Sequence, residues 1–251
     1  MAITRIIREL IGADLIEEVG KRDRKGSPGR RRTDLRIKLS GAYVVGLVIS
    51  AFGHEVAVMD ATGVPLVRRK LTFKDIQCAD KAIEVTSEAV TSLISEAVID
   101  RNRVLGIGIA IAGFVQSTTG TVVQAPYLGW QEVELGNEMS RRTGHPVNVE
   151  NIADAINQAE QTTGTVRGIE DVFLIHCSVT CGGSLSHQRK LIRGANFSAG
   201  HIGHLPMGKS SLVCSCGAMD CLNVHASGWS VLASLGRIDS QSYKTKNNEL
   251  Y

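Results

Sequence analysis

No apolar run in the 251 residues approaches the ~18 needed to cross a bilayer as a helix, so no membrane span is expected. The opening residues, MAITRIIREL, scatter charge through their first turns and lack the apolar core of a secretion signal. A cytoplasmic location is therefore expected, with the cysteines free or metal-bound rather than paired as disulfides. Charge of one sign is scarce too: the net of +3 by itself selects no partner. What remains is an ordinary globular composition, 43% apolar and 21% charged, with chain enough for one large or two modest domains.

The charge is unevenly placed. Residues 1–40 carry eleven Lys/Arg against six Asp/Glu, a net of +5, so the other 211 residues sum to −2. Residues 4–11 read as a helix, with Ile6, Ile7, Leu10 and Ile11 apolar and Arg5 and Arg8 on other faces. A strand entry at 15–20 follows, then the basic loop KRDRKGSPGRRR (21–32), then alternation at Leu35, Ile37 and Leu39. A basic end on a near-neutral body is half of a nucleic-acid argument, with a solvated tail as its bland alternative.

The densest chemistry lies at 198–223, SAGHIGHLPMGKSSLVCSCGAMDCLN. The spacing His204-x9-Cys214-x-Cys216-x4-Cys221 offers three thiolates and an imidazole, a set zinc prefers. Glycines at 200, 203, 208 and 217 let a short backbone bend so that the four can converge. A Cys-x-Cys pair fits disulfide geometry poorly. Four protein ligands leave no open position for water, so Zn2+ here is structural and function must be sought beside it.

Between these ends the pattern is α/β. Strands are expected at 43–50, 55–60 and 66–73, and an amphipathic helix at 83–100 whose stripe includes Ile83, Val90, Leu93, Ile94, Ala97 and Val98. The run VLGIGIAIA (104–112) reads as a buried parallel strand, giving a right-handed crossover. A hairpin follows Gly113, and Trp130 reads as a core or lid aromatic. A short strand at 147–150 leads to a helix reaching about Gln161. Residues 171–179 read as another buried strand, 180–184 as a loop and 226–236 as a helix. Cys177 and Cys181, spaced Cys-x3-Cys, read as two buried thiols rather than a second metal site.

GHIGH (200–204), then Cys-x-Cys-Gly-x-x-x-Cys-Leu, then Ala226-Ser227-Gly228, together resemble the signature of the ROK family of bacterial sugar kinases and sugar-responsive repressors. The resemblance is specific in the metal stretch and looser over about 3–236. It implies an actin-like ATPase (ribonuclease H-like) α/β fold for 41–251, incomplete at the C-terminus. It implies that 1–40 are a partial winged helix-turn-helix, a recognition helix and basic wing, without the helices that precede them in the family. DNA contacts then fall to Arg5, Arg8, Arg22, Arg24, Lys25, Arg30, Arg31 and Arg32.

The family's kinase machinery is replaced. Where ROK kinases carry Asp-x-Gly-Gly-Thr to cradle ATP phosphates, the alignment places Val48, Ser50, Ala51 and Phe52, whose side chains obstruct phosphate approach. Where they carry a base aspartate stands Ile152, which accepts no proton. Asp154, about 200° further round the helix, is not expected to substitute. Mapped from sugar-binding members, the ligand contacts are Asn151 and His204, which are kept, and His201 and Asn223, where the family usually has Glu. The resemblance thus implies a sugar-responsive, homo-oligomeric transcriptional repressor and not an enzyme, with a sugar kinase or an inactive zinc-stabilised scaffold as alternatives.

Overall fold

The computed structural model describes residues 2–22, 32–50, 53–72, 76–208 and 210–237. Helix α1 (Ala2–Gly12) runs into a hairpin of β1 (Ile16–Arg22) and β2 (Arg32–Ile37), paired antiparallel from Ile16↔Ile37 to Arg22↔Arg32. The expected apolar stripe of α1 is only partly covered: Ile7 and Leu10 are half-buried, whereas Ile6 and Ile11 are exposed. Asp14 ties this arm to the body, accepting from Lys38 at 2.6 Å and pairing with Arg103 at 2.9 Å. Those two cations hold its carboxyl below the usual range. A Cβ on Gly41 would stand 2.7 Å from the Asp14 carbonyl oxygen, so arm and body touch where only glycine fits.

The body begins with a meander of β3 (Tyr43–Ser50), β4 (Gly53–Asp60) and β5 (Pro65–Leu71). Helix α2 (Ala79–Glu96) then crosses to β6 (Val104–Ile111), which lies parallel to β3. A second small sheet joins β7 (Phe114–Gln116), β8 (Thr121–Ala125) and β9 (Trp130–Val133). Helix α3 (Leu135–Thr143) then returns the chain to β10 (Val147–Asn151), parallel to β6. The main sheet has the order β10-β6-β3-β4-β5. Alternation in β3 sends Tyr43, Val45, Leu47 and Ile49 to one face, where they meet Ile83, Val90, Leu93 and Ile94 of α2. Trp130 is buried in this core, its indole N–H donating to the Ile76 carbonyl at 2.8 Å, as a core aromatic should.

Helix α4 (Ile152–Thr162) leads to β11 (Val172–Cys177), β12 (Cys181–His187) and β13 (Lys190–Leu191), an antiparallel sheet. Short helices α5 (Asn223–Ala226) and α6 (Gly228–Ser234) close the described chain. Among the described residues no helix is long and apolar enough to cross a membrane.

Four local expectations are corrected. Helix α2 starts earlier and stops at Glu96, and Val98, with φ +52° and 92% exposed, leaves the stripe. Strand β11 is not buried: Phe173 and Ile175 are exposed, because only its other face packs towards α4. The expected loop at 180–184 is mostly strand, its glycines allowing close approach of other backbone: a Cβ on Gly183 would meet the Gly200 carbonyl at 2.7 Å. The helix expected at 226–236 is two, broken at Ser227, whose hydroxyl accepts from the Ser230 amide and caps α6.

Candidate ligand cleft and metal centre

The metal stretch folds as a narrow ribbon. Backbone bridges pair Pro206 with Cys221 and Val213 with Met219, and the Cys214 amide donates to the Ala218 carbonyl at 2.8 Å. Gly217 turns the tip at φ +92°, a left-handed conformation that favours glycine. The bridge at Cys221 brings that thiol back beside the turn carrying His204. The ligand atoms of His204, Cys214, Cys216 and Cys221 all lie within 4.8 Å of one another. Cys216 Sγ is 3.7 Å from Cys221 Sγ, and Cys214 Sγ is 3.7 Å from His204 Nδ1. A tetrahedron of ~2.3 Å zinc–sulfur bonds has edges of roughly 3.7 Å. Both donor type and spacing fit zinc. Burial, then the neighbouring Cys214, push the Cys221 thiol up to about 12 without a cation to relieve the crowding.

Around the cluster a second layer is satisfied. Asp220 is buried and accepts from the Ser210 hydroxyl, and it lies 2.7 Å from His225 Nε2. Such carboxylate and imidazole contacts hold a metal loop in shape.

His204 also lines a cleft, so the cluster and the cleft share a wall. The cleft opens where β6 and β10 end, a usual place for ligands in α/β sheets. Its walls are Gly113 and Phe114 after β6, Asn151 and Ile152 after β10, and His176 and Thr180–Gly183 at the β11–β12 turn, with His201, His204 and Asn223 closing it. The four predicted ligand-contacting residues, Asn151, His201, His204 and Asn223, thus sit together. Its volume is about 60 Å3, well below the ~300 Å3 at which ligand clefts begin.

Each polar group there has a local task. Asn151 caps α4, its Oδ1 accepting from the Ala153 amide at 2.7 Å while Nδ2 donates to the Gly113 carbonyl at 2.7 Å. One amide hydrogen and one lone pair remain. Asn223 is buried, and its Oδ1 accepts from the Cys181 amide at 2.6 Å. A Cβ on Gly203 would stand 2.0 Å from the Cys181 carbonyl oxygen, so no larger residue fits between these elements. The His201 ring lies 4.6 Å from Phe114 by centroids, and its buried Nε2 has no protein partner. Desolvation, then His204, lower its pKa to about 4, leaving a neutral imidazole with an open polar atom.

Ile152 lines the cleft, and no carboxylate does so among the described residues. Asp154 is turned away and buried, accepting from the Ser184 hydroxyl. Ser184 in turn accepts from Asn157, and Asn157 from Gln161. The sequence reading missed Phe114, His176 and Thr180 as cleft residues. His176 carried a signal, a polar side chain in the otherwise apolar VFLI-H run of β11, and burial lowers its pKa.

Other predicted positions are scattered or undescribed. Val48 and Ser50 end β3, while Ala51 and Phe52 lie outside the described residues. So do Arg24, Lys25, Arg30 and Arg31, whereas Arg22 and Arg32 mark the ends of the β1–β2 hairpin. Arg5 and Arg8 are exposed on α1, and Arg5 pairs with Glu9 at 3.5 Å. A far larger concavity, about 1,540 Å3, spans the second face of the main sheet over Gly46, Val48, Ala57, Met59, Gly108 and Ala110. Its lining also carries Glu55, Lys70, Asn148 and the Glu150–Arg193 ion pair, but the four predicted ligand-contacting residues and the metal-cluster wall meet only at the small cleft.

A sequence model of the ROK family matches residues 45–250. The xylose repressor of Caldicellulosiruptor bescii is 25% identical over 244 residues, covering 97% of this chain and 61% of that one. The glucokinase of Streptomyces coelicolor is 34% identical over 146 residues, 57% of this chain and 46% of that one. A ROK family transcriptional regulator, a homolog of the E. coli MLC protein, superposes with a TM-score of 0.76 at 24% identity, over 99% of this chain and 63% of that one, a likeness of fold. The chain spans about three fifths of the length of the xylose repressors it matches.

Proposed function

The chain belongs to the ROK family, and from that premise we propose that it is a sugar-responsive, DNA-binding regulator of the repressor type rather than a kinase. The observation that carries this reading is the cleft: its described lining offers imidazoles and amides but no carboxylate, and Ile152 stands where a base is required. Hydroxyl recognition survives through His201, His204, Asn151 and Asn223, whereas proton abstraction does not. The breadth of the two similarities points the same way. The match to the xylose repressor takes in 97% of the chain, hence most of the helix–hairpin arm, while the glucokinase match takes in 57%.

In this reading residues 1–40 are the recognition helix and wing of a winged helix-turn-helix, and 41–251 an actin-like ligand-binding and dimerising body. Zinc, held by His204, Cys214, Cys216 and Cys221, fixes the wall that His204 shares with the cleft. Arg5 and Arg8 enter the major groove, and Arg22, Arg24, Lys25, Arg30, Arg31 and Arg32 track phosphates.

Two measurements test it. In gel shifts the 251 residues bind DNA weakly and with little sequence preference, with an affinity that falls as salt rises, and neutralising Arg30, Arg31 and Arg32 together flattens the salt slope by up to about three units. Salt-insensitive binding, or none at low salt, would leave the arm without a role. In a coupled assay with Mg-ATP and a panel of hexoses and pentoses no phosphorylation above background is expected. Turnover there would restore the kinase reading.

A further inference from the structure

One cysteine of the cleft wall, Cys181, has a cross-strand partner in Cys177, and neither the metal cluster nor ligand recognition uses the pair. Cys177 ends β11 and Cys181 begins β12, and the two are paired directly across the hairpin. Directly opposed residues of an antiparallel pair project to the same face. The pairing is of the non-hydrogen-bonded kind. The adjacent Ser178 amide donates to the Thr180 carbonyl at 2.9 Å, and such sites alternate along a ladder. Consistently, the Cys181 amide turns out of the hairpin to Asn223 Oδ1 at 2.6 Å. At non-hydrogen-bonded sites the Cα atoms approach to ~4.5 Å, inside the ~4.4–6.8 Å window a disulfide accepts. Cys177 lies close enough to help raise the Cys181 thiol. Both are free thiols, Cys177 exposed and Cys181 buried, which corrects the expectation of two buried thiols.

We propose that Cys177 and Cys181 form a redox-labile pair, bridged by a hydroperoxide and reopened by a thiol reductant, whose state is felt in the cleft. Cys177 meets the oxidant because it alone is exposed. Its sulfur takes one peroxide oxygen, giving a sulfenic acid and releasing the alcohol, or water from hydrogen peroxide. The Cys181 sulfur then displaces that oxygen as water, forming the S–S bond. Two thiols have lost two protons and two electrons, and one peroxide has been reduced. Burial, then the nearby Cys177, push the Cys181 thiol up to about 11, which suits a resolving group that waits for its partner to be oxidised first. The exposed sulfur likewise admits a reductant.

The consequence reaches the cleft through Cys181. Its Sγ donates to the Ala226 carbonyl at 3.2 Å, its amide donates to Asn223, and the residue itself lines the cleft. A bridge removes the S–H donor and leaves Ala226, at the end of α5, without that partner. Because the closed loop is so short, little unfolded-chain entropy is lost, so the effect is local rather than a gain in overall stability.

Trypsin separates this pair from the other thiols. Residues 168–189 carry both cysteines, 210–237 carry Cys214, Cys216 and Cys221, and Cys78 lies elsewhere. The metal-loaded chain, treated with hydrogen peroxide and then alkylated, should yield the 168–189 peptide two hydrogens lighter and unalkylated, with alkylation restored by a reductant. Hydrogen exchange at 223–228 should rise on oxidation and fall back on reduction. In the Cys177→Ser variant, whose changed atom is exposed and so spares the fold, neither change should occur. A Cys177 carried to sulfinic acid beside a Cys181 still free to alkylate would overturn the proposal. So would bridging between the 168–189 and 210–237 peptides, or exchange at 223–228 that ignores the bridge.

Discussion

The two halves of the body are held together by different physics. Every member of the buried apolar cluster lies between Tyr43 and Val149, where sheet and helices α2 and α3 interlock around fully buried Leu47, Ile49, Leu93 and Ile109. Beyond residue 170 the buried apolar side chains of the described chain are Cys181, Cys214, Cys221 and Trp229. The rest of that interior is polar, Ser184, Ser186, Asp220, Asn223, Ser227 and Ser230. One region is stabilised by non-directional burial, which tolerates small shifts. The other depends on a metal-ligand set and on hydrogen bonds, which do not. The cleft lies at their seam, one wall set by packing and the other carrying the candidate metal cluster.

The sharpest way to break this contrast is to remove the metal. Structural zinc in small peptide sites binds with ~10–16 kcal/mol, nearly all of it folding energy. Chelation, or Cys216→Ala, should therefore strip amide protection from 202–227 and leave β3, β4 and β6 protected in hydrogen exchange. Uniform loss across both halves would show that they fold as one. The converse change is Leu93→Ala, a fully buried side chain in α2. It should cost about 2–5 kcal/mol in denaturant titration of the first half, with metal content unchanged.

A smaller effect tests the seam. Asn223→Ala leaves the buried Cys181 amide without its acceptor, a penalty of ~1–3 kcal/mol. It should appear as faster exchange at the β11–β12 turn with metal retained; unchanged exchange would mean that another group takes over the bond. Least of all is Asp154→Asn. Burial raises the Asp154 carboxyl above its ordinary 3.8, the more so beside Glu150 and against the hydrogen bond from Ser184. The folded state thus holds the proton more tightly than the unfolded chain. That contribution is complete below 3.8 and fades as pH climbs through the raised value. Asparagine cannot ionise, so the variant should match or exceed the parent in Tm at neutral pH, with its relative advantage shrinking towards acid. A variant less stable at neutral pH than in acid, relative to the parent, would contradict this.

Where the chain's own periodicity carried the information, the reading held. Strand β3 spans the expected 43–50, and α4 starts and stops within a residue or two of where Asn151 and the apolar spacing place it. It failed where a neighbour decides. Val98 suits the helical stripe by spacing, yet the helix ends at Glu96 and the backbone turns left-handed at Val98. Phe173 and Ile175 read as buried because they are apolar, but only a packing partner makes a face interior, and on that side the described residues supply none.

The His204, Cys214, Cys216 and Cys221 set and the isoleucine at position 152 are properties of the sequence by itself. Ligand chemistry belongs to the side chains, and the short spacing with its glycines leaves the loop little choice but to gather them. Tertiary structure alone decided that Asn151 and Asn223 spend much of their hydrogen-bonding capacity holding the cleft together, that His201 keeps an open nitrogen inside it, and that Cys177 faces solvent across from a buried Cys181. Each of these depends on which distant backbone arrives beside the side chain, and that is set by strand pairing and close packing between segments tens of residues apart.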